Sequence, residues 1–264
     1  MLRADGVTRH ALISDIHANL PALEAVLADI GSRPGVDAVF HLGDLVGYAP
    51  WSDDTVALID SRGIAGVSGN YDSTVAFAYK HCGCKYEDPV QEALSHVSFA
   101  WTCAHTSEHA KRRLATLPFS LSVRPLGSHA AGPKLVLVHG TPTLNTVYWH
   151  EGRTDDFCRQ MARIAGLEAG DVIAFGHTHL PWHRVVDGIH FVNAGSVGRP
   201  KDGDPRSGYA TVAVSPDGVQ IAFHRVAYDV ERAATGILAS GLPAEFAEYL
   251  RSGGTRLTAA GART

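Results

Sequence analysis

The sequence predicts an α/β protein: a sheet covered by helices, with a helical insertion partway along the chain. Three observations predict it. Short apolar runs alternate with segments of helical spacing through the first seventy residues. Residues 73 to about 118 then carry no clear strand. Strand signals return afterwards and end in a pair flanking Pro216-Asp217-Gly218, a turn signal expected of an antiparallel hairpin.

The elements follow in order. Ala11–Ser14 (ALIS) reads as a buried strand. Leu20–Ile30 places apolar residues at Leu20, Leu23, Val26, Leu27 and Ile30, which is helical spacing. Asn19 is its N-cap and Pro21 sits in its first turn. Val36–Leu42 is a second strand, Thr55–Ser61 a helix, and Gly63–Val67 leads into a third strand. Within the insertion, Pro89–Leu94 and Ser107–Leu114 have helical character. Lys134–Val138, Asp171–Phe175, His190–Val192, Tyr209–Val214 and Val219–Val226 complete the strands. One domain is expected over residues 1–252, with a small, polar, frayed tail over 253–264.

Bulk composition narrows the function. The 264 residues are 45% hydrophobic and 19% charged, enough apolar content for a sizeable core. A formal net charge of -4 gives no basic excess to neutralise a phosphate backbone, so nucleic acid is disfavoured as a partner. Four dispersed cysteines do not make a secreted disulfide framework. No window matches a signal peptide or a membrane helix, so a cytoplasmic location without a membrane partner is expected. Oligomeric state leaves no signature.

The chemistry lies at the strand ends. Asp15-Ile16-His17 follows the first strand and Gly43-Asp44 the second. Gly69-Asn70-Tyr71-Asp72 follows the third, His139-Gly140 the fourth and Gly176-His177-Thr178-His179 the fifth. Open α/β sheets bind ligands outside the carboxyl ends of their strands, so five loops would bring these side chains to one crevice. Each piece alone has a plain reading. Asp-x-His is common turn material, Asn70 suits a left-handed turn, and His139 could be a core histidine. Jointly they point to a metal centre. Carboxylates, an amide oxygen and imidazoles suit borderline divalent metals: manganese first, with iron, nickel or zinc also admitted.

In this order the motifs SDIH, GD, GNYD, HG and GHTH resemble the calcineurin-like metallophosphoesterase superfamily, over residues 10 to about 228. The small bacterial phosphodiesterase-like members look nearest. HANLPALEAVL, GDLVGYAP and NAGSVGRPKDGDPRSGY add to the likeness. The resemblance implies a four-layer α/β/β/α sandwich with two mixed sheets. It implies a first metal on Asp15, His17, Asp44 and His179, and a second on Asp44, Asn70, His139 and His177. Asp44 would bridge them. A hydroxide held between the metals would attack phosphorus in a small phosphodiester, phosphomonoester or nucleotide substrate. Asp44, Asn70, Tyr71 and His139 are the catalytic candidates. A metallated scaffold acting through protein contacts is the alternative.

Tyr71 departs from the family pattern, which has histidine there. A phenol titrates near 10 against about 6.5 for imidazole and is a poorer proton donor to a leaving group. Leaving groups that need little protonation are then expected, helped by Tyr71 or by His105 or His109. The loop at Asn193, Ser196 and Arg199, with Lys201 and Arg206, has glycines and cations suited to holding a substrate phosphate; Asn19 joins the substrate-binding candidates. His81-Cys82-Gly83-Cys84 reads as a tight turn carrying two thiols, and Trp51, Trp101 and Trp149 as packing residues.

Overall fold

The computed structural model describes residues 7–84, 89–124, 133–215 and 217–254. Among them, in chain order, are β1 (Thr8–Ile13), α1 (Leu20–Ser32), β2 (Ala38–His41), α2 (Ser52–Ser61), β3 (Ala65–Gly66) and α3 (Asn70–Ala76). Next come α4 (Pro89–His105), α5 (Glu108–Leu114), β4 (Leu121–Val123), β5 (Leu135–Leu137), α6 (Asp155–Ala165) and β6 (Val172–Phe175). The chain closes with β7 (Trp182–Val186), β8 (Ile189–Asn193), β9 (Ser207–Ser215), β10 (Gly218–Val226), α7 (Val230–Ser240) and α8 (Glu245–Ser252).

Two five-stranded mixed sheets result, ordered β10-β9-β1-β2-β3 and β4-β5-β6-β8-β7. β1, β2 and β3 run parallel, as do β5, β6 and β8. Their carboxyl ends therefore deliver the five motif loops. The sheets bury Leu12, Leu42, Leu137, Val192 and Val212 between them. Ala11, Ile13, Leu23, Val26 and Ile237 form a second core under the helices of the first sheet. Trp149, Phe175, Phe191 and Met161 form a third, against α6. These are the four layers of an α/β/β/α sandwich. The insertion, α3 to α5, packs Tyr71, Val75, Phe99 and Leu114 into the helical core of the first sheet.

The outline matches the sequence reading, and the differences have local causes. β7 pairs with β8 across a tight turn in which Asp187 and Gly188 both have positive φ. Its alternation is masked by His183 and Arg184. β3 has only two residues, and α4 runs eleven residues beyond the helical signal at Leu94, to His105. The β9–β10 hairpin is as expected, although Pro216 lies outside the described residues. At the C-terminus, Gly254 N–H donates to Tyr249 C=O and Gly203 N–H to Gly253 C=O, tying these two glycines to neighbouring segments. The expectation for 255–264 lies outside the described residues.

Candidate metal centre

The loops after the strands are stitched together before any side chain is considered. Asp15 N–H donates to Gly43 C=O, His17 N–H to Asp44 C=O, and Gly176 N–H to His139 C=O, at 2.9–3.0 Å. The Asp72 carboxylate accepts from the amides of Asp44, Leu45 and Gly69 at 2.8–2.9 Å. It fixes the Asp44 loop onto the start of α3. Burial and the Asp44 charge push the Asp72 pKa up to about 7, against the pull of those amides. Gly69 and Gly176 allow close approach. A Cβ on Gly69 would collide with the Asp44 carboxylate, and one on Gly176 with Asp15. Asp15, His17, Asp44, His177 and His179 all adopt left-handed backbone, with φ between 50° and 64°.

The side chains converge as two buried groups. Asp15, His17 and His179 form one; Asp44, His139 and His177 form the other. Asp44 reaches both, with Oδ2 at 3.7 Å from His17 Nε2 and 3.5 Å from His139 Nε2. Asn70 Oδ1 stands 3.1 Å from His139 Nε2. All seven residues expected to hold metal are thus brought together.

The hydrogen bonds behind these residues determine which atoms face inward. His17 Nδ1 lies 3.1 Å from Val46 C=O, His179 Nδ1 2.5 Å from Arg199 C=O, and His139 Nδ1 2.7 Å from Leu42 C=O. A carbonyl only accepts, so each Nδ1 carries a proton, and the neutral rings of His17 and His179 turn Nε2 lone pairs inward. Yet His17 Nε2 and His179 Nε2 lie 3.1 Å apart. Asn70 donates from Nδ2 to Cys82 C=O and Cys84 Sγ, so its oxygen is the atom turned towards His139 Nε2. Lone pairs facing each other repel unless positive charge lies among them. Asp15 Oδ1 and His177 Nε2 are also buried without a hydrogen-bond partner. The donor set fits cations.

Electrostatics make the same demand. Burial pushes His17 and His177 down to about 3 and His179 well below its usual value, so these rings are neutral, the form that binds metal. Burial would lower His139 too, but the Asp44 carboxylate outweighs it and holds the ring's pKa up at about 10. Asp44 itself is driven well below the usual carboxylate range: burial opposes this, and the charge of His139 and its hydrogen bond prevail. A positive charge beside Asp44 is what this pocket stabilises.

Residues 9–217 match the calcineurin-like phosphoesterase superfamily domain. The chain belongs to that superfamily. An uncharacterized protein of Methanocaldococcus jannaschii is 29% identical over 257 residues, covering 91% of this chain and 96% of that protein. The crystal structure of a metallophosphoesterase from Sphaerobacter thermophilus superposes with a TM-score of 0.70 at 28% identity, covering 94% of this chain and 99% of that one. A hypothetical protein from Pyrococcus horikoshii shares the fold at a TM-score of 0.78 and 20% identity, with 94% and 99% coverage. As a calcineurin-like phosphoesterase the chain falls in a metal-dependent class, and its two buried residue groups are suited to bind the metals.

Other candidate residues of this phosphoesterase are placed less uniformly. Tyr71 is buried, and its ring edge meets His17 at 5.7 Å between centroids. Its hydroxyl lies 3.4 Å from Ser95 Oγ in α4. Burial pushes its pKa well above the usual phenol value. Asn19 caps α1 through its side-chain oxygen and donates to Gly198 C=O and the Tyr228 hydroxyl. Asn193 donates to Gly176 C=O and Thr178 Oγ1, and Ser196 to Asp15 C=O. These three residues brace the loops. Arg199 differs, since it lines a cavity of about 540 Å³ over the candidate metal ligands.

His105 stacks on Trp101, and neither it nor His109 lines that cavity. Arg206 pairs with Asp204, away from it. Sequence reasoning missed Tyr148, which stacks on His177 at 4.4 Å. Nothing around Tyr148 distinguishes it in the sequence; the loop after β5 folds it over the site. Cys84 lines the cavity too, so the thiol turn borders the site. No helix of the described residues is long and apolar enough to cross a membrane.

Proposed function

We propose that this protein hydrolyses small phosphoesters at a centre of two divalent cations held by Asp15, His17, Asp44, Asn70, His139, His177 and His179. The observation that carries the reading is the pair of buried ligand groups joined by Asp44, with lone pairs of His17 and His179 turned on each other. Cations bound there supply a nucleophile at neutral pH and neutralise the phosphoryl oxygens. The chain's own residues orient them. Carbonyls of Val46, Arg199 and Leu42 fix the imidazoles, Cys82 and Cys84 fix the Asn70 amide, and Asp72 fixes the Asp44 loop.

The position of Tyr71 selects among substrates. Its hydroxyl is directed to Ser95, and its raised pKa makes it a poor proton donor. Substrates whose leaving group departs unprotonated suit this site best: aryl esters, activated diesters and phosphoanhydrides. Retention of all seven ligands, five of them in left-handed backbone, favours turnover over a scaffold role.

The test uses the purified full chain supplemented with manganese or nickel. Cleavage of bis-p-nitrophenyl phosphate, p-nitrophenyl phosphate or a nucleotide is expected, lost in Asp44→Asn, with elemental analysis giving the metal content. Metal-loaded protein that cleaves none of these supports the scaffold role instead.

A further inference from the structure

Beside the metal ligands the cavity carries two cations that the hydrolytic chemistry does not use, Arg199 and Lys201. Arg199 is only 6% exposed. Its guanidinium lies over the Tyr48 ring at 4.2 Å and near the rings of Tyr249 and Phe246, at 5.0 and 5.8 Å. Rings covering the guanidinium face leave its in-plane N–H donors unspent. Nε is buried with no hydrogen-bond partner.

The carboxylates nearby are committed elsewhere. Asp202 pairs with Arg225, and Asp204 with Arg206. Among the described residues, neither Arg199 nor Lys201 takes part in an ion pair. Lys201 is solvent-exposed overall, yet the protein around its ammonium and the adjacent Arg199 charge lower its pKa. Like charges held together in this way are relieved by an anion.

A count of charge indicates which anion. Two divalent cations set against the carboxylates of Asp15 and Asp44 and the attacking hydroxide would leave one positive charge for the phosphoryl group being cleaved. Arg199 and Lys201 add two more on the same cavity wall. A substrate with a single phosphoryl group leaves at least one of these unmatched, and a diester leaves both. Guanidinium edges and ammonium groups bind phosphoryl oxygens through charge-assisted hydrogen bonds.

We infer that Arg199 and Lys201 form a second anion subsite, which takes a phosphoryl group of the substrate other than the one cleaved. The natural substrate then carries two phosphoryl groups, as a nucleoside polyphosphate or a bisphosphorylated small molecule does. This rests on the phosphoesterase reading above, and it agrees with a site whose Tyr71 offers no proton to the leaving group, because a phosphate leaves readily without one.

The experiment is calorimetric titration of the metal-loaded full chain, with metal in excess, against three non-hydrolysable probes. Methylphosphonate carries one anionic group, methylenediphosphonate two adjacent ones, and 1,3-propylenediphosphonate two spaced ones. One of the two diphosphonates is expected to bind at least about tenfold more tightly than methylphosphonate. Preference for the methylene probe indicates an anhydride, and preference for the propylene probe a spaced bisphosphate. Arg199→Met should cut that ratio by about tenfold. Because Arg199 packs among three aromatic rings, the exposed Lys201→Gln provides a second variant, expected to cut it about threefold or more.

A wild-type ratio near one for both diphosphonates overturns the subsite. So does an unchanged ratio in Lys201→Gln together with a folded Arg199→Met. Methylphosphonate binding that needs metal and disappears in Asp44→Asn reports on the metal centre separately. Loss of the ratio with that binding intact removes only the subsite.

Discussion

Gly69→Ala tests whether close approach at the strand ends holds the site together. Gly69 has φ -80 and ψ 177, a conformation open to alanine, so backbone preference alone predicts a gain. Reduced freedom of the unfolded chain is worth about 0.4–1 kcal/mol. The structure predicts the reverse. The new Cβ would collide with the Asp44 carboxylate and with its backbone nitrogen. That nitrogen donates to Asp72 at 2.8 Å, and Tyr71 N–H donates to Asp44 Oδ1 at 2.9 Å, so neither atom moves freely. Overpacking of this kind costs about 1–3 kcal/mol. Contacts this close belong to the upper part of that range, about 2–3 kcal/mol, so subtracting the entropic gain leaves a net loss of about 1–2.6 kcal/mol, or roughly 2–10 °C in Tm for a chain of this size. Gly31→Ala is the internal control. It lies on an exposed turn of α1 with nothing within 4 Å of a new Cβ, and should gain about 0.5–1 kcal/mol. Urea denaturation of both variants, with metal titration of Gly69→Ala, measures the effects. A Gly69→Ala protein as stable as its parent, with unchanged metal affinity, refutes the packing argument.

Three further outcomes are expected. Asp72→Asn places an amide where three backbone N–H groups donate; it should lose about 2–3 kcal/mol by urea denaturation, and a loss under half that would show that the carboxylate is not the staple described. His41 is fully buried, and burial lowers its pKa to about 3, so it stays neutral in the fold and protonates below about 6.5 only when unfolded. The parent therefore loses about 1.4 kcal/mol per pH unit relative to His41→Met as pH falls from about 6.5 towards 3, so the difference between the two stability curves should change by that slope over the window; parallel curves refute it. Tyr71→Phe should leave the slope of log kcat against leaving-group pKa unchanged across a series of aryl phosphodiesters, whereas a selective loss on the poorest leaving groups would restore Tyr71 as a proton donor.

The convergence of the candidate metal ligands was legible in the sequence because its signal is local and repeated. Each ligand sits within a few residues of the end of an apolar run, and strand ends in such sheets share one edge. Asp15, Asp44 and His177 could therefore be gathered without coordinates. What surrounds them is set by tertiary packing and leaves no such mark. Asn19 and Asn193 have the chemistry of substrate ligands, yet every amide group is spent on neighbouring loops. Tyr148 and Tyr249 come to the cavity from loop and helix positions with no periodic signature. β4 escapes notice because three residues are too few to show alternation, whereas β3 is legible from Gly63–Val67 although only Ala65–Gly66 pair. Arg199 and Arg206 look equivalent in the sequence. Only the structure shows Asp204 neutralising one while aromatic rings cage the other.

The backbone at the ligands bears on why the site persists. A left-handed conformation costs a residue with a Cβ roughly 1–2 kcal/mol, and glycine relieves that cost. Glycine takes this region at Gly43 and Gly195, while Ala18 and Tyr48 also enter it without being ligand types. At Asp15, His17, Asp44, His177 and His179 the same backbone region is occupied by side chains, all of them ligating types. Stability alone would favour glycine at these positions or a relaxed loop. Retaining strained carboxylates and imidazoles makes sense when the side chain itself is what the position supplies. Bound cations would return stability only to the folded state, which offsets that strain and lets the loops stay tight.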